Sequence, residues 1–384
     1  VVSFAHGFAV PPSFYDSFSR HLASRGYLVI ATDSQSLNFN PNRLQYVADM
    51  KDTITYMIGQ NTQPGSFLEG RVQTSAIGAS GHSLGGGIAT VVAAEDPRVK
   101  ALATFSAATL RSSGPFGGMA PPPYADSATA SLNIPVSFIN GSLDLLIPVS
   151  TNGQVLYDAS EGPRLLPNIL GGYHVGFTDF PFPPPFGDIG QPGSVSQEEN
   201  QAFGRAELAS FFDLYLKQDQ SAWRRQWGPE RLALAGVDSQ IDPGFEISVA
   251  QSLFTGLPGQ AVQIDITVRN TSDFTNSFEL IPDENLWSIT FSSDTIGPLG
   301  PGEATTIPAW VTIPTQPVLL EDSFLLTARS VADGGTRAFT SVTVAVPELS
   351  PGLLLGMVSL MGLYPILRAK ARASAESNGC RSCR

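Results

Sequence analysis

One short stretch sets the chemical question. Residues 79–90 read ASGHSLGGGIAT, so Ser83 stands in a G-x-S-x-G pattern completed by Gly81 and Gly85. An apolar run, TSAIGAS, precedes it, and an apolar helical pattern, IATVVAAEDP, follows. A strand, a tight turn and a helix in that order hold a serine on a strained elbow with its hydroxyl exposed. Glycines at 81, 85 and 86 leave room for strand and helix to approach, because side chains there would collide. The pattern predicts a nucleophilic Ser83 rather than a serine in an ordinary glycine-rich turn.

A serine hydroxyl attacks only when a base takes its proton, and histidine is the usual base near neutral pH. The chain has 4 histidines. His21 falls within an amphipathic helical pattern, which suits a structural role. His82 lies inside the elbow, where adjacent side chains diverge. His6, in AHGF, comes early and is needed to shape a turn with Gly7. His174, in GGYHVGF directly after an apolar run, is left as the base. A carboxylate must hold the imidazole in the productive tautomer, and the expected chain order is serine, acid, histidine. Asp144 follows a strand pattern in IPVSFINGSLDLLIP, whereas Asp126 lies in a Pro-rich loop and Glu95 and Asp96 close the elbow helix. Asp144 is therefore the expected acid. Charge developing on a carbonyl oxygen needs preorganised N–H donors. The backbone amides of Leu84, next to the nucleophile, and of Phe8, after the first strand, are the candidates.

Short apolar runs alternate with helical patterns through the first 220 residues, as a mostly parallel, doubly wound sheet with helices on both faces requires. Strands are predicted at VVSFAHG, YLVIATD, TSAIGASGHS, ALATFSA, IPVSFING and LLPNILGG, with helices over 13–25, 43–58, 84–94 and 197–217. Ser196 and Glu199 read as a capping box at the start of the last helix. Two long loops, RSSGPFGGMAPPPYADSATAS and VGFTDFPFPPPFGDIGQPGS, carry enough Phe, Tyr, Met and Pro to wall an apolar site. From Ile241 the period changes to two, as in AVQIDITVRN, WSITFS and TSVTVAV, which predicts an antiparallel β-sandwich. The division expected is a catalytic domain over 1–237, a sandwich over 238–346 and a C-terminal segment over 347–384.

The balance of charge excludes some partners. A net charge of -12 repels phosphate backbones, so no nucleic-acid partner is expected. The 2 cysteines, Cys380 and Cys383, sit in the last residues, so neither globular region can hold a disulfide. The apolar run from Leu353 to Leu367 would reach only about 22 Å as a helix, short of the roughly 30 Å hydrocarbon core. Basic residues follow it from Arg368. The chain opens within a strand pattern and without a Met, and is read as a fragment whose export signal and first strands lie upstream.

The motifs AHGF, GHSLGGG, GSLDLLIP and GGYHVGF resemble the α/β-hydrolase superfamily over residues 1–220. They are most similar to its serine branch, which contains chlorophyllases, platelet-activating-factor acetylhydrolase-like enzymes and bacterial cutinase or polyester hydrolases. That resemblance implies hydrolysis of a carboxylic ester through an acyl-enzyme, without metal or organic cofactor. Leu84 stands where polyester hydrolases usually carry Met. Residues from Ile241 to Val346 resemble immunoglobulin-like or fibronectin-like modules. Val346, Pro347 and Glu348, followed by the apolar run and basic end, resemble a PEP-CTERM sorting signal, with Leu349 where its second proline would stand. These resemblances imply an exported protein, held at the surface through a C-terminal membrane segment that a sorting enzyme processes. An apolar ester is the expected substrate. The competing expectations are a peptidase of the same fold and a non-catalytic surface or adhesion protein.

Overall fold

A computed structural model describes residues 1–112, 121–180 and 194–347. Seven strands form the first sheet: β1 (Val2–Ala5), β2 (Val29–Thr32), β3 (Ile77–His82), β4 (Val99–Phe105), β5 (Val136–Gly141), β6 (Arg164–Ile169) and β7 (Val237–Asp242). They lie in the order β2-β1-β3-β4-β5-β6-β7. All pairings are parallel except β6 with β7. The six strand patterns read from the sequence are β1 to β6. The seventh, β7, is an addition: it crosses the expected boundary at 237/238 and pairs with β6 through to Asp242.

Helices cover both faces. On one side, α2 (Arg43–Thr62), α3 (Leu84–Glu95), α4 (Ala125–Thr129) and α5 (Gly153–Ala159) pack into a core with Tyr46, Ile54, Ile88, Val92 and Leu156. On the other, α1 (Asp16–Ser24) and α6 (Gln197–Leu216) supply Phe18, Leu22, Leu208, Phe211 and Phe212. Removing such side chains from water contributes about 1.5–3 kcal/mol each, which is why strands buried on both faces read as short unbroken apolar runs. The capping box at α6 is present, with the Ser196 hydroxyl accepting from the Glu199 amide and the Glu199 carboxylate accepting from the Ser196 amide. The first long loop is shorter than its composition suggested, because α4 forms within it. Residues 113–120 of that loop and 181–193 of the second lie outside the described residues.

Helices α7 (Trp223–Gln226) and α8 (Pro229–Leu232) lead into β7 and then into two further sheets. One contains β12 (Ser288–Phe291), β14 (Ala304–Thr312), β10 (Ala261–Asn270) and β8 (Phe245–Val249), all antiparallel. The other contains β13 (Thr295–Leu299), β11 (Asn276–Asp283), β15 (Glu321–Ser330), β16 (Arg337–Ala345) and β9 (Leu253–Thr255). Only the β9–β16 pair is parallel there. Alternation of buried and exposed residues along β10 follows the period of two, and both sheets share one core around Ile264, Val268, Phe278 and Phe324. The sandwich docks on the end of α6. The Tyr215 hydroxyl bonds Thr336 Oγ1 at 2.9 Å and accepts from Trp227 Nε1 at 2.7 Å, while the Arg337 guanidinium lies 5.0 Å from the Trp223 ring centre.

The expected C-terminal apolar helix, Cys380 and Cys383 lie outside the described residues. Among the described residues, no helix is long and apolar enough to cross a membrane.

Candidate active site

Parallel strands bring their carboxyl ends to one edge of the sheet, and that edge collects the expected residues. Phe8 follows β1, Ser83 follows β3, Asp144 follows β5 and His174 follows β6. The strand order reverses between β1 and β3, the place in an open α/β sheet where a crevice forms beyond the strand ends.

Ser83 has φ 57° and ψ -119°, a left-handed conformation unusual for a non-glycine residue. Its amide donates to the Phe105 carbonyl at 2.9 Å, and its own carbonyl accepts from Ala108 and Gly87. These bonds tie the turn to the adjoining strand and hold the strained geometry. The glycines around it are sterically required. A Cβ on Gly85 would come within 2.2 Å of the Ala5 carbonyl oxygen, and one on Gly81 within 2.5 Å of the Gly85 carbonyl oxygen.

Asp144 and His174 meet across two loops. His174 Nδ1 lies 2.7 Å from Asp144 Oδ2, while Asp144 Oδ1 accepts the Ile147 amide at 2.7 Å. Both side chains are nearly inaccessible, at 8% for the histidine and 0% for the acid. A carboxylate can only accept here, so the imidazole proton sits on Nδ1, and Nε2 of the neutral ring carries the lone pair that can take a proton. The loops are laced by the Leu143 amide donating to Gly172 O at 2.8 Å and the Gly171 amide donating to Ser142 Oγ at 2.8 Å. Gly141 permits that approach, since a Cβ there would meet the Gly172 carbonyl carbon at 2.4 Å.

Ser83 and His174 line one cleft of about 1030 Å³, together with Phe8, Phe39, Leu110 and Ile147. The His82 ring, next in sequence to Ser83, lies 4.5 Å from the His174 ring, centre to centre. The amides of Phe8 and Leu84 belong to residues that line the same cleft. Leu84 is the first residue of α3, so its N–H has no acceptor within the helix.

The remaining histidines take other places. His6 is buried; its Nδ1 lies 2.8 Å from Gly7 O, and its Nε2 lies 3.1 Å from Ser34 O and 3.3 Å from the Ser34 amide, so it ties the turn to the end of β2. His21 sits in the last turn of α1 and does not line the cleft. His82 is buried, with Nδ1 2.9 Å from the Tyr15 hydroxyl. Burial first, and the neighbouring His174 second, hold its pKa well below the ordinary histidine value. Asp126 pairs with Arg111, and Asp96 with Arg98. Among the described residues no group of three or more His, Cys, Asp or Glu is placed to hold a metal ion.

Sequence reasoning missed buried supports of the site, Asn200 and Tyr15 among them. Asn200, on α6, accepts the Tyr173 amide through Oδ1 at 3.1 Å and fixes the backbone just before His174. Tyr15 reaches both the Gly7 amide and His82. Nothing in their local sequence marks either one, because each acts on a residue brought near only by the fold.

Comparisons with known proteins find similarity over the first part of the chain. A family model described as PETase, PET hydrolase-like, matches residues 1–174. Cutinase est1 of Thermobifida alba is 22% identical over 158 residues, 41% of this chain and 47% of that protein. Cutinase 2 of Thermobifida cellulosilytica is 24% identical over 138 residues, 36% of this chain and 45% of that protein. Cutinase cut1 of Thermobifida fusca is 24% identical over 138 residues, 36% of this chain and 37% of that protein. The chain spans less than half the length of these curated relatives. Over residues 1–174, then, the chain is similar to the PETase- and cutinase-like family of α/β-hydrolases, a family of serine ester hydrolases.

Proposed function

We propose that this protein hydrolyses carboxylic esters with Ser83 as nucleophile, His174 as base and Asp144 as the acid that orients it. The observation that carries the reading is the 2.7 Å contact from Asp144 to His174 Nδ1 at the wall of an apolar cleft that also exposes the strained Ser83 elbow. In the proposed reaction Ser83 Oγ bonds to the ester carbonyl carbon as its proton passes to His174 Nε2. The carbonyl oxygen takes up negative charge and is held by the amides of Phe8 and Leu84. Collapse of this intermediate breaks the bond to the alcohol oxygen, which leaves with the proton from Nε2. Water then attacks the acyl-enzyme, giving its proton to His174, and the acid leaves as Ser83 recovers its hydrogen.

The substrate class follows from the cleft. Among its described lining residues there is no Asp or Glu, and Arg43 is the lone Lys or Arg. A peptidase that recognises a free amine needs a carboxylate there, so the apolar lining favours an ester with apolar acyl or alcohol parts. In this reading the immunoglobulin-like sandwich is a non-catalytic module, and the segment after Val346 serves export and retention at the cell surface.

A panel of nitrophenyl esters of increasing acyl length, run beside a panel of peptides, tests the proposal. Turnover of esters and none of peptides is expected. Peptide turnover without ester turnover would assign the cleft to a peptidase, and neither would favour a non-catalytic surface protein.

A further inference from the structure

The loop that carries the Phe8 amide is held by side chains from two separate parts of the chain. The peptide between His6 and Gly7 is gripped on both sides: its carbonyl accepts from the Tyr46 hydroxyl at 3.0 Å, and its N–H donates to the Tyr15 hydroxyl at 3.0 Å. In the next peptide, the Gly7 carbonyl lies 2.8 Å from His6 Nδ1, and Phe8 itself lines the cleft. Tyr15 and Tyr46 are both fully buried. A Cβ on Gly7 would meet the Tyr15 hydroxyl at 2.8 Å, so the loop has no slack on that side.

The direction of the bonds is determined by chemistry. An amide can only donate, so the Tyr15 oxygen receives the Gly7 hydrogen and has its own hydrogen to give. The acceptor in reach is His82 Nδ1, 2.9 Å away, on the residue before the nucleophile. A chain therefore runs from Gly7 N–H through Tyr15 O–H to His82, joining the loop of one oxyanion donor to the elbow of the other. We infer that Tyr15, seated against His82, is a positioning residue that sets the Phe8 amide at the separation from Ser83 and Leu84 that the transition state requires. This rests on the ester-hydrolase reading and deepens it. Such donors act through preorganisation, and displacing one weakens binding of the developing oxyanion more than binding of the substrate.

The test compares the wild-type chain with Tyr15→Phe on a nitrophenyl ester and against two ketone inhibitors. A trifluoromethyl ketone adds Ser83 Oγ to its carbonyl and places an oxyanion between the amides. The matching methyl ketone reports ground-state binding. In Tyr15→Phe, kcat should fall about tenfold or more with KM within about twofold. Trifluoromethyl ketone affinity should fall by the same factor while methyl ketone affinity holds. Tyr46→Phe, which loosens the same peptide from the other side, should behave alike. His82→Asn, which keeps an acceptor near the Nδ1 position, should retain more kcat than His82→Leu. These two variants carry the test if Tyr15→Phe fails to fold. An unchanged kcat, or equal losses for both ketones, would overturn the inference while leaving the esterase reading in place. A wild-type chain no more active than Ser83→Ala would overturn both.

Discussion

His174 Nδ1 and Asp144 Oδ2 stand 2.7 Å apart although 30 residues separate them in the chain. Their meeting depends on β5 and β6 being parallel neighbours whose following loops approach over Gly141 and Gly172. Asp144→Asn tests what the contact does. The amide keeps the shape of the acid but cannot hold the imidazole proton on Nδ1 when its NH2 faces the ring. The ring is then free to adopt the tautomer that cannot accept the Ser83 proton. Steady-state ester kinetics should show kcat reduced by about 10⁴-fold with little change in thermal stability.

Two glycine substitutions separate steric need from propensity. Gly85→Ala would push a Cβ to 2.2 Å from the Ala5 carbonyl oxygen and 2.4 Å from that of His6. Neither backbone can yield without moving β1 and its loop, so thermal unfolding should shift down by several degrees and ester turnover should be lost. Gly59, within α2, has no neighbour within 4 Å of where a Cβ would stand. Gly59→Ala should stabilise by about 0.5–1 kcal/mol and leave turnover unchanged.

Acid should destabilise the fold well before its carboxylates titrate. Burial lowers the pKa of both His6 and His82, the latter strongly. In the unfolded chain each takes a proton near pH 6.5, while in the folded chain each stays neutral to lower pH. The unfolded state therefore binds more protons in that interval, and stability rises with pH there. Melting temperature should fall as pH drops below about 6.5 and continue falling until the folded-state values are passed. In His82→Asn that dependence should be shallower.

Glu207 on α6 carries two arginines. It bonds Arg231 at 2.5 Å and Arg225 at 2.8 Å, and the Glu207 and Arg231 side chains are almost wholly inaccessible. Glu207→Ala strands a buried guanidinium and should cost about 3–5 kcal/mol in denaturant unfolding of the first domain. Replacing Glu207 and Arg231 together by apolar residues of similar volume should cost less than the single change.

Much of the site was legible in the sequence because its members follow strands. Ser83 is flanked by an apolar strand run and an apolar helix, and Asp144 and His174 each follow such a run in the chain order that the proposed chemistry would use. Tyr15, Tyr46 and Asn200 were not legible. Tyr15 acts on His82 from 67 residues away and Asn200 on Tyr173 from 27, and periodicity reports only that such residues are buried. β7 was missed for a related reason. Its sequence, VDSQID, is that of a polar edge strand, and its partner β6 lies far upstream. An edge strand needs few apolar residues, so pattern alone assigned it to the domain that follows.

The most direct measurement is covalent labelling of the intact chain with a fluorophosphonate, located by peptide mass mapping. A single label on Ser83 is expected, abolished in His174→Ala and retained in His21→Ala. A label elsewhere, or equal labelling of wild type and His174→Ala, would contradict the proposed assignment of nucleophile and base.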